Sequence, residues 1–320
     1  GERALPLENT PPTLLVSGSL DTTFAGDGTT SLPIGIGDAS AEAVAVQADG
    51  NYVVAGWSVH ANDQFTLLRL NPDGVLDSTF SSDGVQFAEL SGRAHDVVIQ
   101  PDGGIVAVGG TGSVDNSDFL IARFDTTGAP DTTFSGDGLV NHALSAVNDT
   151  AHAVALQADG KIVVAGSSGF NFAVTRYGTD GTPDASFDGD GLVTGSFGSN
   201  TSAANAMLLQ EDGKILIAGY GWSGSSWDFG VARLTASGAL DTSFSGDGKA
   251  LISLDSGNAS TLETVNAIAI QADGKILLAG YTTGGGGDFQ DAVLIRQWYS
   301  RPGGSDRKST RLNSSHDQIS

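Results

Sequence analysis

The sequence predicts an all-β protein, a β-propeller of about five four-stranded antiparallel blades. Three observations predict it: a composition that disfavours helices, a set of blocks that recurs five times, and an Asp-Gly turn signal inside every copy. Of 320 residues, 45 are glycine, and the 31 aspartates far outnumber the 6 glutamates. Because Asp favours turns whereas Glu favours helix interiors, this composition indicates a chain with many turns.

Three blocks recur in the same order along the chain, which is the signature of a repeat architecture. The first reads Asp-x-x-Phe and ends in Asp-Gly, the second contains Gln-x-Asp-Gly followed by an apolar run, and the third is an apolar run that ends in Arg. The first Asp of the first block falls at positions 21, 77, 131, 184 and 241.

Each copy reads as four short strands, a to d. Strand a follows the Gly-Asp-Gly turn. In the first copy, strand b spans residues 43–47, strand c spans residues 52–56, and strand d spans residues 65–70. Asp-Gly between two apolar runs favours a type I′ hairpin. Strands b and c are apolar at successive positions, which indicates cover on both faces. Repeated four-stranded sheets of this kind are typical of propeller blades. The alternatives are a linear solenoid, or part of a larger or incompletely closed propeller.

The ends of the chain differ from its body. Residues 1–13 are predicted to be a linker, residues 14–300 the five-repeat propeller, and residues 301–320 a disordered tail. The tail holds four of the 15 basic residues, and its RKSTRLNSSH stretch resembles translated sequencing-adapter read-through. A natural disordered tail is the alternative. The absence of an initiator Met predicts a fragment or a processed product.

Charge and composition exclude several functions. The net charge of −22 argues against nucleic-acid partners, whose phosphates need Lys and Arg. The chain has no cysteine, so thiol catalysis and disulfides are excluded. It also has no apolar run long enough to predict membrane insertion.

The Asp-x-x-Phe, Gln-x-Asp-Gly-Lys-Ile-Val-Val-Ala-Gly and Phe-x-Val-x-Arg-Tyr blocks resemble those of the delta-60 repeat family of bacterial proteins, over about residues 14–298. The resemblance implies a secreted or cell-surface bacterial propeller, embedded in a larger multidomain chain. It brings no catalytic residues and no fixed ligand. Thr13 stands where the repeat has Arg, so closure of the ring by strand exchange between the ends is an open question.

The lengths of the connections predict where binding occurs. Two segments keep one length in every copy: the one from the repeat Gln to the end of strand c, and the one from the strand-d Arg to the Asp-Gly that ends the Asp-x-x-Phe block. The segments that contain the a–b and c–d loops vary in length. In a four-stranded meander these two loops lie at the same rim. Binding sites concentrate on variable loops carried by a rigid scaffold, so we expect this face to be the interaction surface.

Aromatic residues of the c–d loops are the candidate ligand-binding residues, because rings offer large contact area at low entropic cost. The alternative is that they only pack the loops. The predicted set is Trp57, Tyr220, Trp222, Trp227 and Tyr281.

A second candidate site is a set of polar residues five positions before each repeat Gln, which would form one circle at the mouth of the central channel. Two His and a carboxylate there could bind a metal. The alternative is that they satisfy the polar ends of strands. These channel-mouth candidates are Glu42, His95, His152, Asn205 and Asn266.

The repeated acidic and basic residues are predicted to be structural. Each strand-d Arg would pair with the Asp eight residues later, because a buried charge needs a partner. The pairs draw on Asp21, Asp77, Asp131, Asp184 and Asp241, and on Arg69, Arg123, Arg176, Arg233 and Arg296. With the Gly-Asp-Gly aspartates, these turns could instead attract calcium, the only cofactor considered.

The sequence thus predicts a non-enzymatic extracellular scaffold that binds glycan or protein surfaces through variable loops. The alternative is a metal-assisted lyase or hydrolase with its site at the channel mouth.

Overall fold

The computed structural model describes residues 19–112, 117–254, 262–283 and 290–298. The predicted linker at 1–13 and tail at 301–320 lie outside these residues. No helix in the described part of the chain could cross a membrane.

Eighteen strands form in the described residues. In chain order they are β1 (Ala39–Val46), β2 (Tyr52–Val59), β3 (Asp63–Leu70), β4 (Val85–Ile99), β5 (Ile105–Thr111), β6 (Phe119–Phe124), β7 (Leu139–His142), β8 (Asp149–Leu156), β9 (Ile162–Ser168), β10 (Asn171–Tyr177), β11 (Leu192–Gly195), β12 (Ser202–Leu209), β13 (Ile215–Trp222), β14 (Trp227–Leu234), β15 (Lys249–Ile252), β16 (Glu263–Ile270), β17 (Lys275–Thr283) and β18 (Gln290–Trp298).

The strands form five antiparallel blades, which confirms the all-β propeller-type fold. Blade 1 is β1, β2, β3 and the first half of β4; blade 2 is the second half of β4 with β5, β6 and β7. Blades 3 and 4 are β8 to β11 and β12 to β15, and blade 5 has the three strands β16, β17 and β18. The chain therefore repeats one meander, and β4 is continuous across two blades.

The assignment of strand a to its blade is corrected by these pairings. We expected strand a to begin the blade of the strands b to d that follow it. Instead it completes the preceding blade, as β11 does by pairing with β10. The reason is the Asp-x-x-Phe turn, in which the amide of Phe187 bonds to the carbonyl of Asp184 and that of Gly191 to the carbonyl of Phe187. This compact turn brings the chain back against strand d, where the amide of Arg176 bonds to the carbonyl of Gly191.

The core lies between successive blades. Between blades 1 and 2, Val53, Phe65 and Leu67 pack against Val97 and Ile105, and equivalent apolar clusters fill the other three junctions. The first strands of neighbouring blades contact one another, so they form the inner wall of the array. In the described residues no strand pairing and no apolar cluster joins blade 1 to blade 5.

Candidate functional site

The blades have two different rims. The turn rim carries both the Asp-Gly hairpins and the Asp-x-x-Phe turns. Their proximity is shown by Lys161 and Lys214 of the hairpins, which lie 3.0 and 3.2 Å from Asp184 and Asp241 of the other turns. The loop rim, at the opposite ends of the strands, carries the connections between second and third strands and those between blades. Both segments of variable length therefore lie at the loop rim.

The repeated Arg residues organise the turn rim. Arg176 is buried, with Nε 2.7 Å from Asp184 Oδ2, Nη2 bonded to Ser186, and the guanidinium 4.7 Å from the ring centre of Phe187. Its Nη1 donates to the carbonyl of Ala236 in the next blade, so the cluster links two blades. Equivalent ion pairs join Arg69 to Asp77, Arg123 to Asp131, and Arg233 to Asp241.

Two members of the predicted set lack this pairing. Arg296 is exposed, and the described residues place no Asp-x-x-Phe turn beside it. Asp21 is also exposed, and the hydrogen bonds described for its carboxylate come from the amide and hydroxyl of Thr23. The last Arg and the first Asp of the repeat series are therefore not brought together.

The turn carboxylates satisfy their own backbone. Asp241 Oδ1 accepts hydrogen bonds from the amide and hydroxyl of Ser243, and the Gly-Asp-Gly residue Asp247 accepts one from the amide of Lys249. Burial raises the pKa of Asp241, but hydrogen bonds from Ser243 and Lys214 and the charge of Arg233 outweigh it and lower the pKa to about 2. Across the described residues, no three His, Asp or Glu side chains are grouped to hold a metal ion.

All five channel-mouth candidates are β-bulge residues, which the sequence did not reveal. In the first strand of every blade the pairing skips one residue, and a bulge of this kind re-aims the side chain of the extra residue. The skipped residues are Glu42, His95, His152, Asn205 and Asn266.

The bulge residues form a line along the inner wall at the loop rim. The rings of His95 and His152 are 5.4 Å apart, and Asn205 donates to Thr264 and to the carbonyl of Val265 in the next blade. Glu42 and Asn266 are exposed at the two ends of the line. The structure therefore brings the two His together, whereas Glu42 and Asn266 lie at opposite ends of the row of blades.

Burial keeps the two His uncharged. It lowers the pKa of His152 to about 4, with a smaller contribution from the neighbouring His95. Burial also lowers the pKa of His95, although Glu42 opposes this shift. Asp96, beside His95, has its pKa raised by burial while its carboxylate accepts hydrogen bonds from the amides of Val97 and Val154. Both rings are therefore neutral at pH 7, and each keeps one ring nitrogen with a free lone pair.

Two charged residues that the sequence reasoning missed complete the site near blade 1. Arg93 lies 4.1 Å from the ring centre of Trp57 and pairs with Asp63 at 2.6 Å. Trp57 Nε1 donates to Glu42 Oε1 at 3.2 Å. Arg93 and Asp63 lie in segments of variable length, and no other copy has a charged residue at either position. The spacing gave no reliable signal: Arg93 precedes His95 by two positions, but the bulge at His95 breaks the alternation of sides that this spacing implies in a regular strand.

The candidate aromatics lie in strands rather than in loops, which corrects their predicted location. Trp57, Tyr220, Trp222 and Tyr281 lie within the last three residues of the second strands of their blades, and Trp227 begins β14. Pairing of the second and third strands continues almost to the rim, so that Trp222 stands opposite Trp227.

Three of these rings contact one another at the loop rim of blade 4, and Tyr281 of blade 5 lies close enough to Tyr220 to affect its pKa. Trp227 makes edge-to-face contacts with Tyr220 and Trp222, at centroid distances of 5.4 and 5.1 Å. Burial raises the pKa of Tyr220, with a further contribution from Tyr281. All four rings are partly exposed. They form the aromatic cluster of the loop rim.

Solved structures with similar folds share little sequence with the chain. The polysaccharide lyase Uly1 is 13% identical over 90% of this chain and 74% of its own, with a TM-score of 0.46. A protein from Lactobacillus plantarum is 12% identical, covering 81% of this chain and 70% of its own at a TM-score of 0.45. The α-L-arabinanase of Cellvibrio cellulosa, solved with arabinohexaose, is 10% identical, covering 79% of this chain and 90% of its own at 0.41. No curated protein sequence matches the chain.

One family model matches once in each repeat, from the repeat Gln through the Asp-x-x-Phe turn in the first four copies and to the strand-d Arg in the fifth. The matched residues are 47–80, 100–134, 157–187, 210–244 and 271–296. Together they make up half of the chain. The chain therefore belongs to the family described as a domain of unknown function (DUF5122) beta-propeller.

Proposed function

We propose that the chain is a non-enzymatic binding module that holds carbohydrate at its loop rim. One observation carries the proposal: the rings of Tyr220, Trp222 and Trp227 contact one another, and are partly exposed, at the rim where connection lengths vary. The apolar faces of sugar rings stack on such aromatic surfaces, and rigid rings lose little entropy on binding.

Polar groups near the rings suit a hydroxyl-rich ligand. Ser223 and Ser226 occupy the connection beside the aromatic cluster, and Asp228 accepts a hydrogen bond from Ser226. At the other end of the row, Glu42, Trp57 and Arg93 combine one ring with two opposite charges. A few placed polar groups among aromatic walls are typical of small-molecule and glycan sites.

The experiment is a glycan array followed by titration of the strongest binder. Three of the four Trp residues lie at the loop rim, so ligand binding should change the intrinsic fluorescence. Trp222→Ala should weaken binding at least tenfold, whereas Tyr52→Ala, which removes a ring at the start of β2 on the turn rim, should leave it unchanged. Equal affinities for both variants, or no glycan bound on the array, would overturn the proposal.

A second candidate function is an enzyme that works at the inner wall. The observation that favours it is the His95–His152 pair, whose uncharged rings lie 5.4 Å apart at re-aimed bulge positions. Neutral His serves as a general base or as a ligand of a transition metal, as in a metal-assisted lyase or hydrolase. The test is depolymerisation of the glycans that bind. Activity lost in His152→Gln and kept in Trp222→Ala would favour the enzyme, and no activity would exclude it.

We also propose that the protein acts outside a bacterial cell, as a secreted or surface-attached part of a larger multidomain chain. The support is the resemblance of the repeated blocks to the delta-60 family. Fractionation of the producing organism with an antibody against the propeller tests this location.

A further inference from the structure

Every junction between successive blades has the same two halves. The trailing face of a blade, which meets the next blade, is formed in blade 1 by Val53, Phe65 and Leu67. The leading face, which meets the preceding blade, is formed in blade 2 by Val97 and Ile105. Because the repeats keep their spacing, the same positions form these two faces in all blades.

The two outer blades present one unused half each. Val44 and Val46 on the leading face of blade 1 are both 63% exposed, whereas Val97, which occupies the position of Val44 in blade 2, is 5% exposed. Leu294 on the trailing face of blade 5 is 42% exposed, whereas Leu67, its equivalent, is 1% exposed. The leading face of blade 1 also borders a cavity of about 200 Å³ lined by Leu32, Val54 and Leu68, among others.

The polar residues of the junction are likewise separated, with the Arg at one end of the array and the Asp and Phe at the other. Within the chain each Arg pairs with the Asp eight residues later and stacks on the Phe of that turn, as Arg69 does with Asp77 and Phe80. Arg296 at the end of the array is exposed and shares no described ion pair. It does lie close enough to Asp273 to help lower the pKa of that carboxyl, after the larger effect of Lys275.

The matching polar half lies at the other end of the array. Asp21 and Phe24 stand at the positions of Asp77 and Phe80, and Asp21 shares no described ion pair. Phe24 already packs on Gly74 of blade 1, as Phe80 packs on Gly128 of blade 2. The turn is therefore formed without the Arg that occupies it elsewhere.

The backbone groups that would complete a blade also lie at opposite ends of the array. In the described residues β18 pairs with β17 alone, so blade 5 has an edge where the other blades have a fourth strand. Residues 29–34 follow an Asp-Gly turn at the position where the fourth strand begins in blades 1 to 4, yet they belong to no sheet. An unpaired edge and an unpaired strand segment are complementary.

From these three divisions we propose that the trailing face of blade 5 binds the leading face of blade 1 in a second copy of the chain, head to tail. A second copy of the chain is the expected partner, because the four internal junctions already pair these two surfaces. In the contact, Leu294 of one copy meets Val44 of the other, Arg296 reaches Asp21, and residues 29–34 complete blade 5. A heterologous contact of this kind produces closed rings or chains of copies.

The test uses two variants whose substituted residues are exposed, so that folding is preserved. Val44→Asp disables the leading face and Leu294→Asp the trailing face. Val147→Asp, at a residue that is also exposed but lies between blades 2 and 3, is the matched control. Molar mass is measured by light scattering over a concentration series, in enough salt to screen the repulsion between chains of net charge −22. Unfolding by heat is recorded for each variant to show that it is folded.

The expected result is specific to a head-to-tail contact. The wild type and Val147→Asp should reach at least twice the single-chain mass of 32.5 kDa, and each single face variant should remain at that mass. An equimolar mixture of Val44→Asp and Leu294→Asp should form a dimer that grows no further, since each pair retains one intact junction. A wild type that stays at the single-chain mass at all concentrations, as when blades 1 and 5 close upon each other, would overturn the proposal. So would a mixture of face variants that stays monomeric.

Discussion

The two rims of the blades are built from the same repeats, yet they are stabilised in opposite ways. At the turn rim each strand-d Arg of blades 1 to 4 has an ion pair, hydrogen bonds and an aromatic ring in fixed register, as in the Arg176 cluster. At the loop rim, connections of different lengths meet partly exposed rings such as Trp222 and Trp227. The contrast teaches that the repeat keeps the turn-rim residues that close the hairpins and join one blade to the next, whereas the connections at the loop rim vary in length.

The largest expected effect comes from removing a ring at the turn rim. Phe134 is fully buried beneath Arg123 and packs on Gly181 of the next blade. We expect Phe134→Ala to lower the free energy of unfolding by about 3–5 kcal/mol, from lost burial and the cavity that remains. The measurement is chemical denaturation, with Trp222→Ala as the control at the loop rim. A smaller loss for Phe134→Ala than for Trp222→Ala would reverse the comparison.

The next effect tests whether the ion pairs stabilise the turn rim. Arg123→Ala should cost about 2–4 kcal/mol, because it leaves Asp131 without its cation. The guanidinium Nε lies 2.8 Å from that carboxylate, although its N–H is not directed for a hydrogen bond. Arg176→Ala should cost about 1 kcal/mol less, since Lys161 remains 3.0 Å from Asp184.

Denaturation of both variants and of the wild type measures this order, and the double variant Lys161→Ala with Arg176→Ala provides the control. If the two single variants lose the same stability, then Lys161 does not compensate for Arg176. Glycan binding should be unchanged in both, because neither residue lies at the loop rim.

The sequence predicted the repeat, the blade number and the positions of the hairpins because each depends on local turn chemistry. The predicted type I′ turn was wrong, because such a turn needs positive φ at both central residues and, in the pair Asp212 and Gly213, only Gly213 has it. It did not predict which strands share a blade, since the period is the same whether strand a begins one blade or ends another. Only hydrogen bonds such as that from the amide of Arg176 to Gly191 decide the matter. The five polar positions were visible in the sequence, whereas the bulges were not, because a bulge is a property of the pairing between two strands. Arg93 was not predicted because no other copy has a charged residue at its position, so the internal comparison of repeats did not single it out.

A third, smaller effect should appear as pH dependence at the inner wall. The pKa of His152 is about 4 in the folded protein and 6.5 in the unfolded chain, so the unfolded state binds the proton more readily. Its contribution to stability is therefore complete above pH 6.5 and is lost as the pH falls towards 4. The melting temperature of the wild type should decrease over this window, and that of His152→Gln should decrease less. Identical pH profiles would show that this imidazole is not buried as described.

The smallest effect concerns the length of a loop-rim connection. Residues 223–226 join β13 to β14, and four extra Gly and Ser residues inserted after Gly224 double that connection. Closing a flexible loop of twice the length costs only about 0.6 kcal/mol, so the variant should be nearly as stable as the wild type.

The same four residues inserted between Asp212 and Gly213 should cost about 2–3 kcal/mol, because they disrupt the hairpin hydrogen bond from Gly213 to Gln210 and displace Lys214 from Asp241. Chemical denaturation of the two insertion variants compares the loss in free energy of unfolding that the same four-residue insertion causes at each rim. Equal losses of stability would mean that the loop rim tolerates changes in length no better than the turn rim does. The variation in loop length would then not indicate a surface that can change to bind different ligands. Unequal costs in the expected order would place that freedom at the loop rim, where the aromatic cluster lies.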